Sequence, residues 1–106
     1  MGFFDTIHKK LSKMTEEAHK AQWEAEEWDA KTIYARLCRN TTLGEKTGYS
    51  RVLREKCETL SDSELKTLFD HAWSSGNIAA YNAIKPSMKK RGFIHEDENG
   101  HIVKNY

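Results

Sequence analysis

The chain has few residues that interrupt secondary structure or form crosslinks: one proline, six glycines and two cysteines among 106 residues. Cys38 and Cys57 form no C-x-x-C pair, which favours free thiols in a reducing compartment over a disulfide framework or a zinc site. No apolar run is long enough to span a bilayer, and the N-terminus has no apolar leader with a cleavage site. We therefore expect a cytoplasmic protein.

An excess of charge of either sign is also lacking, since 17 Lys and Arg face 16 Asp and Glu for a net charge of +1. Global attraction to a polyanion is thereby excluded, and any such partner must be met by a local patch. What the chain does have is aromatic residues, three Trp, four Tyr and four Phe, which bury large areas and argue against disorder. Without repeats or Gly/Pro-rich linkers, residues 1–106 are expected to form a single helical domain.

Apolar residues recur at helical spacing through the first quarter of the chain. They form the seam Phe3, Phe4, Ile7, Leu11, Met14, Ala18, Ala21, Ala25 and Trp28. Thr15, followed by two glutamates, could cap the start of a new helix, so the sequence leaves open whether residues 3–40 form one helix or two. Past Trp28 the apolar stripe shifts to Ile33 and Leu37, which indicates a bend.

In residues 40–48, Thr41, Thr42, Gly44 and Gly48 crowd a short stretch without apolar periodicity, and this pattern predicts a loop. A helix is then predicted from near Ser50, with an apolar face that runs from Tyr49 to Leu60.

The clearest local signals lie in the second half of the chain. Ser61-Asp62-Ser63-Glu64 is typical of a capping box, and Gly76 and Gly92 are placed to end helices in the left-handed conformation. Asn77 can cap the helix between them, in which Pro86 predicts a kink or a restart. The first of these helices carries an apolar stripe predicted to be buried, made of Leu65, Leu68, Phe69, Ala72 and Trp73.

Asn99-Gly100 lies between two β-prone stretches and predicts a short hairpin within residues 93–106, unless these residues form a partly ordered tail. The predicted fold class is therefore all-α, a compact bundle of four or five helices with a possible C-terminal hairpin.

Motifs of known catalytic or metal-binding mechanism are missing. The stretch from His95 to Asn99 begins like H-E-x-x-H but lacks the second histidine, and no glycine-rich phosphate loop occurs. Cys38 or Cys57 with His71 could in principle form a thiolate pair, yet no local signature supports it. We expect a protein that is not an enzyme, with no catalytic, cofactor-binding or metal-binding residues.

Charge is segregated along the sequence. An acidic stretch surrounds Trp23, which lies off the apolar seam and is predicted to be an exposed anchor. The stretch after it is basic, with Lys31, Arg36, Arg39, Lys46, Arg51, Arg54 and Lys56. The leading hypothesis is a regulatory or adaptor protein that binds a protein partner through Trp23, Glu24, Glu27, Arg36 and Arg39. Helices that pair opposite charges within one molecule would leave the same pattern.

The predicted order helix 62–75, glycine turn, helix 77–91 and hairpin resembles the second half of winged helix-turn-helix domains, and "YNAIKPSMKKRGFIHEDENGHIV" resembles their helix-to-wing junction. Across residues 62–103, this resemblance implies a nucleic-acid-binding regulator that uses Lys85, Lys89, Lys90 and Arg91. Pro86 within the reading helix and the acidic residues 96–98 at the wing oppose it. The alternative is that the basic residues only complement a helix C-terminus.

The N-terminal "GFFDTIHKKLSK" resembles short amphipathic peptides of amphibian skin, which lie on lipid surfaces. That resemblance implies membrane-surface association, whereas packing of the same face on the core is the expected outcome. The partner's identity and the oligomeric state are not predicted by the sequence.

Overall fold

The structure is a computed structural model that describes the backbone from Phe3 to Tyr106 and the side chains from residue 13 onward. Over these residues the chain forms five helices and one hairpin: α1 Phe3–Ala25, α2 Ala30–Leu37, α3 Leu43–Cys57, α4 Asp62–Ser75, α5 Ile78–Lys90, β1 Ile94–Glu96 and β2 Ile102–Lys104. The helices pack into a compact bundle, and the strands pair antiparallel. The predicted fold class, including the hairpin, is confirmed.

Residues 3–40 form two helices, α1 and α2, and the break between them is not at Thr15, through which α1 runs without interruption. The chain then turns over residues 26–29, where Asp29 caps α2 by accepting a hydrogen bond of 2.8 Å from the amide of Thr32. This turn is the bend that the shifted apolar stripe predicts.

The loop predicted for residues 40–48 is wrong, because α3 begins at Leu43. Thr42 and Glu45 form a reciprocal capping box, with each side chain accepting from the other residue's amide at 3.1 and 3.0 Å. Gly44 and Gly48 lie inside the helix on the side that faces α1. Their lack of a side chain lets the two helices approach closely, which overrides the usual reading of glycine as a helix breaker.

The predicted ends of α4 and α5 are confirmed. Ser61 accepts from the amide of Glu64 at 3.2 Å, although the Glu64 carboxylate accepts from the Ser61 hydroxyl at 2.8 Å and not from its amide as predicted. Gly76 and Gly92 have positive φ angles of 69° and 77°, and Asn77 caps α5. Helix α5 continues through Pro86, so the predicted restart does not occur.

The core lies around α3, which packs against α1, α2 and α5, while α4 packs on α5. The predicted stripe of α4 is buried except for Trp73, which is 44% exposed and is a correction to the sequence analysis. Trp73 contacts the rings of Phe69 and Tyr81 in edge-to-face arrangements, and the Lys104 ammonium lies 5.2 Å from its ring centre. It therefore forms the edge of the core and not its interior.

The hairpin is anchored at both of its ends. Ile94 pairs with Lys104, and at the turn the Asp97 carboxylate accepts from the amides of Asn99 and His101 at 2.9 Å. Asp70 on α4 receives the ammonium of Lys104 at 2.6 Å. The hairpin is thus fixed to the bundle.

The apolar residues proposed for a lipid surface, Phe3, Phe4, Ile7 and Leu11, lie outside the described side chains. None of the helices in the described part of the chain is long and apolar enough to cross a membrane.

Candidate binding groove between helices α3 and α5

A groove of about 860 Å³ runs along the surface seam between α3 and α5. One wall is the outer face of α3, with residues spaced by three or four positions: Leu43, Lys46, Thr47, Ser50, Arg51 and Arg54. The other wall is the first half of α5, and the end of α2 with the α4–α5 turn closes the groove. The α3 wall spans three helical turns, about 16 Å.

Four cations border this groove: Arg39, Lys46, Arg51 and Arg54. None of them forms an ion pair with any residue whose side chain the structure describes. Glu55 and Glu58 border the neighbouring depression along α3, on the far side of Arg51 and Arg54. Glu58 is paired with Lys90, and neither Glu55 nor Glu58 forms an ion pair with Arg51 or Arg54, so no described carboxylate within 4 Å neutralises the cations of the groove.

The groove also carries apolar surface. Leu43 is 63% exposed on one wall and Ile78 is 72% exposed on the other. Asp, Glu and aromatic residues are absent from the described lining. The N-terminus of α5, capped by Asn77, lies along the groove and adds the positive end of its helix dipole. The arrangement suits an anionic ligand that also has an apolar side chain.

Groups suited to catalysis are few around the groove. Cys38 lies at its end and is exposed, with the Asn77 side-chain amide 3.5 Å from its sulfur. Cys57 is buried elsewhere, and burial raises the pKa of its thiol to about 12, which disfavours a thiolate. In the described part of the chain, no three His, Cys, Asp or Glu side chains are grouped so that they could hold a metal ion.

The four basic residues expected to bind nucleic acid are all paired with carboxylates. Lys85 and Lys89 lie 3.8 and 2.6 Å from Glu96, and the Lys89 hydrogen bond and charge hold the pKa of that carboxyl below its ordinary value. Lys90 lies 3.3 Å from Glu58, 32 residues away in sequence. Glu96, the first residue of the acidic stretch predicted to repel phosphates, therefore neutralises Lys85 and Lys89 of α5.

Arg91 is the most constrained member of that basic cluster. Its guanidinium donates to Asp62 at 3.0 Å and to the backbone carbonyls of Cys57 and Glu58 at 3.0 and 3.2 Å. It therefore caps the C-terminus of α3 and joins it to the start of α4. The order of elements in residues 62–103 is the one expected from the winged-helix resemblance, but the four cations that nucleic-acid binding would use are already paired with carboxylates.

The residues predicted to bind a partner are not brought together. Trp23 is 75% exposed and points away from the bundle, and Glu27 is exposed beside it. Glu24 and Arg36 line a separate cavity of about 330 Å³, where the Arg36 guanidinium lies 5.4 Å from the centre of the Trp28 ring. Arg39 alone among them borders the groove.

Lys46, Arg51 and Arg54 were counted in the basic stretch of the sequence but were not placed on one surface. Residues 43, 46, 47, 50, 51 and 54 share one helical face, a signal that the loop predicted for residues 40–48 hides. Ile78 could not be assigned to the same groove from sequence, because only tertiary packing brings α5 beside α3.

Comparison with known proteins adds nothing to this geometry, since no family, curated protein or solved structure matches the chain.

Proposed function

We propose that the protein is a non-enzymatic adaptor or regulatory protein of the cytosol that binds an acidic protein partner in the α3/α5 groove. The observation that carries the proposal is the contrast between two basic clusters. The cations at the end of α5 are all paired with carboxylates, whereas Arg39, Lys46, Arg51 and Arg54 have no paired carboxylate among the described side chains. Unpaired cations beside exposed apolar residues favour an external anionic partner. The exposed free thiol of Cys38 suits a reducing compartment.

A protein partner is favoured over nucleic acid by the composition of the groove. Proteins that hold single strands stack bases on aromatic side chains, and the described lining has none. Leu43 and Ile78 instead offer apolar contacts that phosphates cannot use. An acidic protein surface with an apolar anchor satisfies both the cations and these two side chains.

The test is the affinity of the intact protein for a synthetic helical peptide of about twelve residues, long enough to follow the α3 wall, with glutamates on one face and leucines beside them. Fluorescence anisotropy should show saturable binding that weakens as salt is raised. We expect Arg51→Glu with Arg54→Glu to weaken it at least about tenfold, because two attractive contacts become repulsive.

The matched control is Lys89→Glu with Lys90→Glu, which makes the same change in net charge at the other basic cluster and should leave peptide affinity nearly unchanged. Equal losses in both variants would show non-specific attraction and contradict the groove. Short DNA and RNA duplexes and single strands test the nucleic-acid alternative. Tight binding that falls steeply with salt and is lost in the Lys89/Lys90 variant would favour that alternative.

A further inference from the structure

A second surface of the molecule has the opposite charge to the groove. Trp23 stands on α1 near the exposed carboxylates of Glu16, Glu26 and Glu27, and we call these four residues the Trp23 surface. It contains more carboxylates than cations, although Lys20 lies between Glu16 and Trp23 on the same helix face and the Lys56 ammonium donates to the Glu26 backbone carbonyl at 2.7 Å. Helical spacing places Glu16 on the same face of α1 as Trp23, two turns before it, and Glu26 and Glu27 follow directly after the end of the helix. None of these three carboxylates forms an ion pair with the side chains that the structure describes.

The Trp23 surface matches what the groove requires. Its carboxylates oppose the unpaired cations of α3, and its indole is a large apolar anchor for the space between Leu43 and Ile78. Arginine guanidinium groups also bind the faces of indole rings. A buried tryptophan bordered by complementary charge is the usual composition of the energetic centre of an interface.

The two surfaces cannot meet within one molecule. Ala18, Ala21 and Ala25 face the bundle, and helical geometry puts Trp23 on the opposite side of α1. Helix α1 covers the side of α3 that carries Gly44 and Gly48, whereas the groove lies on a different side of α3, which faces α5. Contact between the surfaces therefore requires two molecules.

We propose that the Trp23 surface of one copy binds the α3/α5 groove of a second copy. The inference rests on the groove being a binding site, as proposed above, and names one partner for it. Because the two surfaces are different, the contact is head-to-tail and leaves a free groove and a free Trp23 surface at the ends, so chains or rings form. Self-association then competes with any other acidic partner for the groove.

The test uses analytical ultracentrifugation of three proteins: wild type, Trp23→Ala, and Arg51→Glu with Arg54→Glu. Wild type should associate beyond a dimer as concentration rises, and added salt should reverse this. Each variant alone should remain monomeric, with affinity reduced at least about thirtyfold as for an interface hot spot. Mixed together, the variants should form a one-to-one complex that does not grow, because each supplies the surface that the other lacks.

All substituted side chains are exposed, so circular dichroism should show unchanged helix content; if one variant misfolds, Glu27→Lys replaces Trp23→Ala on the same surface. A wild type that is monomeric at millimolar concentration would overturn the inference. So would a wild type that associates while the mixture of the two variants forms no one-to-one complex. The acidic peptide separates the two proposals. If the peptide binds and the wild type stays monomeric, only the self-association is wrong.

Discussion

Gly48 shows how a single missing side chain determines the arrangement of two helices. A Cβ built at Gly48 would overlap the carbonyl oxygen of Ala18 and lie 2.8 Å from the Cβ of Ala21. At Gly44 it would lie 2.7 Å from the Cβ of Glu17. The backbones of α1 and α3 therefore touch, and the outer face of α3 is left free for the groove.

Gly48→Ala tests this close approach through the sign of its effect. Alanine favours a helix over glycine by about 1 kcal/mol, so an open site would be stabilised, whereas overpacking costs about 1 to 3 kcal/mol. We expect a lower free energy of unfolding in urea. Gly76→Ala is the control, since its cost of about 1 kcal/mol comes from positive φ with no atom within 4 Å. A more stable Gly48→Ala protein would contradict the packing.

Arg91 makes the basic cluster structural, because its guanidinium caps α3 and binds Asp62. We expect Arg91→Gln to lower the free energy of unfolding by about 1 to 3 kcal/mol, as hydrogen bonds from a charged donor are lost and carbonyls are left unpaired. Lys90→Gln is the control and should change it by no more than about 0.5 kcal/mol, because its ion pair is exposed. Equal small effects in chemical denaturation would contradict the capping role.

At the scale of elements, the hairpin is held to α4 through Asp70. Its carboxylate receives the Lys104 ammonium at 2.6 Å and the Tyr106 hydroxyl at 2.7 Å. Partial burial alone would raise the pKa of Asp70, but hydrogen bonds from Lys104 and Tyr106 and the charge of Lys104 hold it below the ordinary 3.8. A lowered pKa in the folded state means stability that is present above pH 3.8 and is lost as pH falls through the folded value.

Asp70→Asn should therefore lower the thermal midpoint at pH 7, and the difference from wild type should shrink as the pH falls below 3.8. Melting curves at several pH values measure this. Asp97→Asn, in the turn at the other end of the hairpin, tests whether the effect belongs to the contact with α4. A difference between wild type and Asp70→Asn that is constant with pH would show that the Asp70 charge does not hold the hairpin.

Elements that depend on local signals could be predicted, and those that depend on distant contacts could not. Ser61, Asn77 and Gly92 act on backbone groups within a few residues, so the limits of α4 and α5 follow from sequence. Helix α3 also begins at a local signal, the Thr42/Glu45 capping box, but the two glycines after it hide the helix, and no local rule contains the contact of Gly48 with Ala18 and Ala21. The predicted buried Trp73 failed for the same reason, because the side of α4 that faces solvent depends on where α5 lies.

The candidate site was predictable only in part. The exposure of Trp23 follows from its position off the apolar seam of α1. The neutralisation of Lys90 by Glu58 and of Arg91 by Asp62 joins residues about 30 positions apart, which no spacing rule reveals. The helical face of Lys46 and Arg54 was present in the sequence but was obscured once residues 40–48 were assigned to a loop.

At the scale of the whole molecule, a net charge of +1 conceals two unpaired surfaces of opposite sign. The α3/α5 groove carries four cations, and the Trp23 surface carries three carboxylates around an exposed indole. The bundle between them keeps the surfaces apart on different helices. This distribution is the reason to expect a binding protein whose groove is available both to acidic partners and to its own second copy.

The most direct measurement of the central claim is a map of backbone amide NMR shifts as the acidic helical peptide is titrated into the Trp23→Ala variant, in which no second copy competes for the groove. The groove account predicts that the largest changes fall on the outer face of α3, residues 43–54, and on the first half of α5, residues 77–83. Largest changes in residues 85–104 instead, or no changes at saturating peptide, would contradict it.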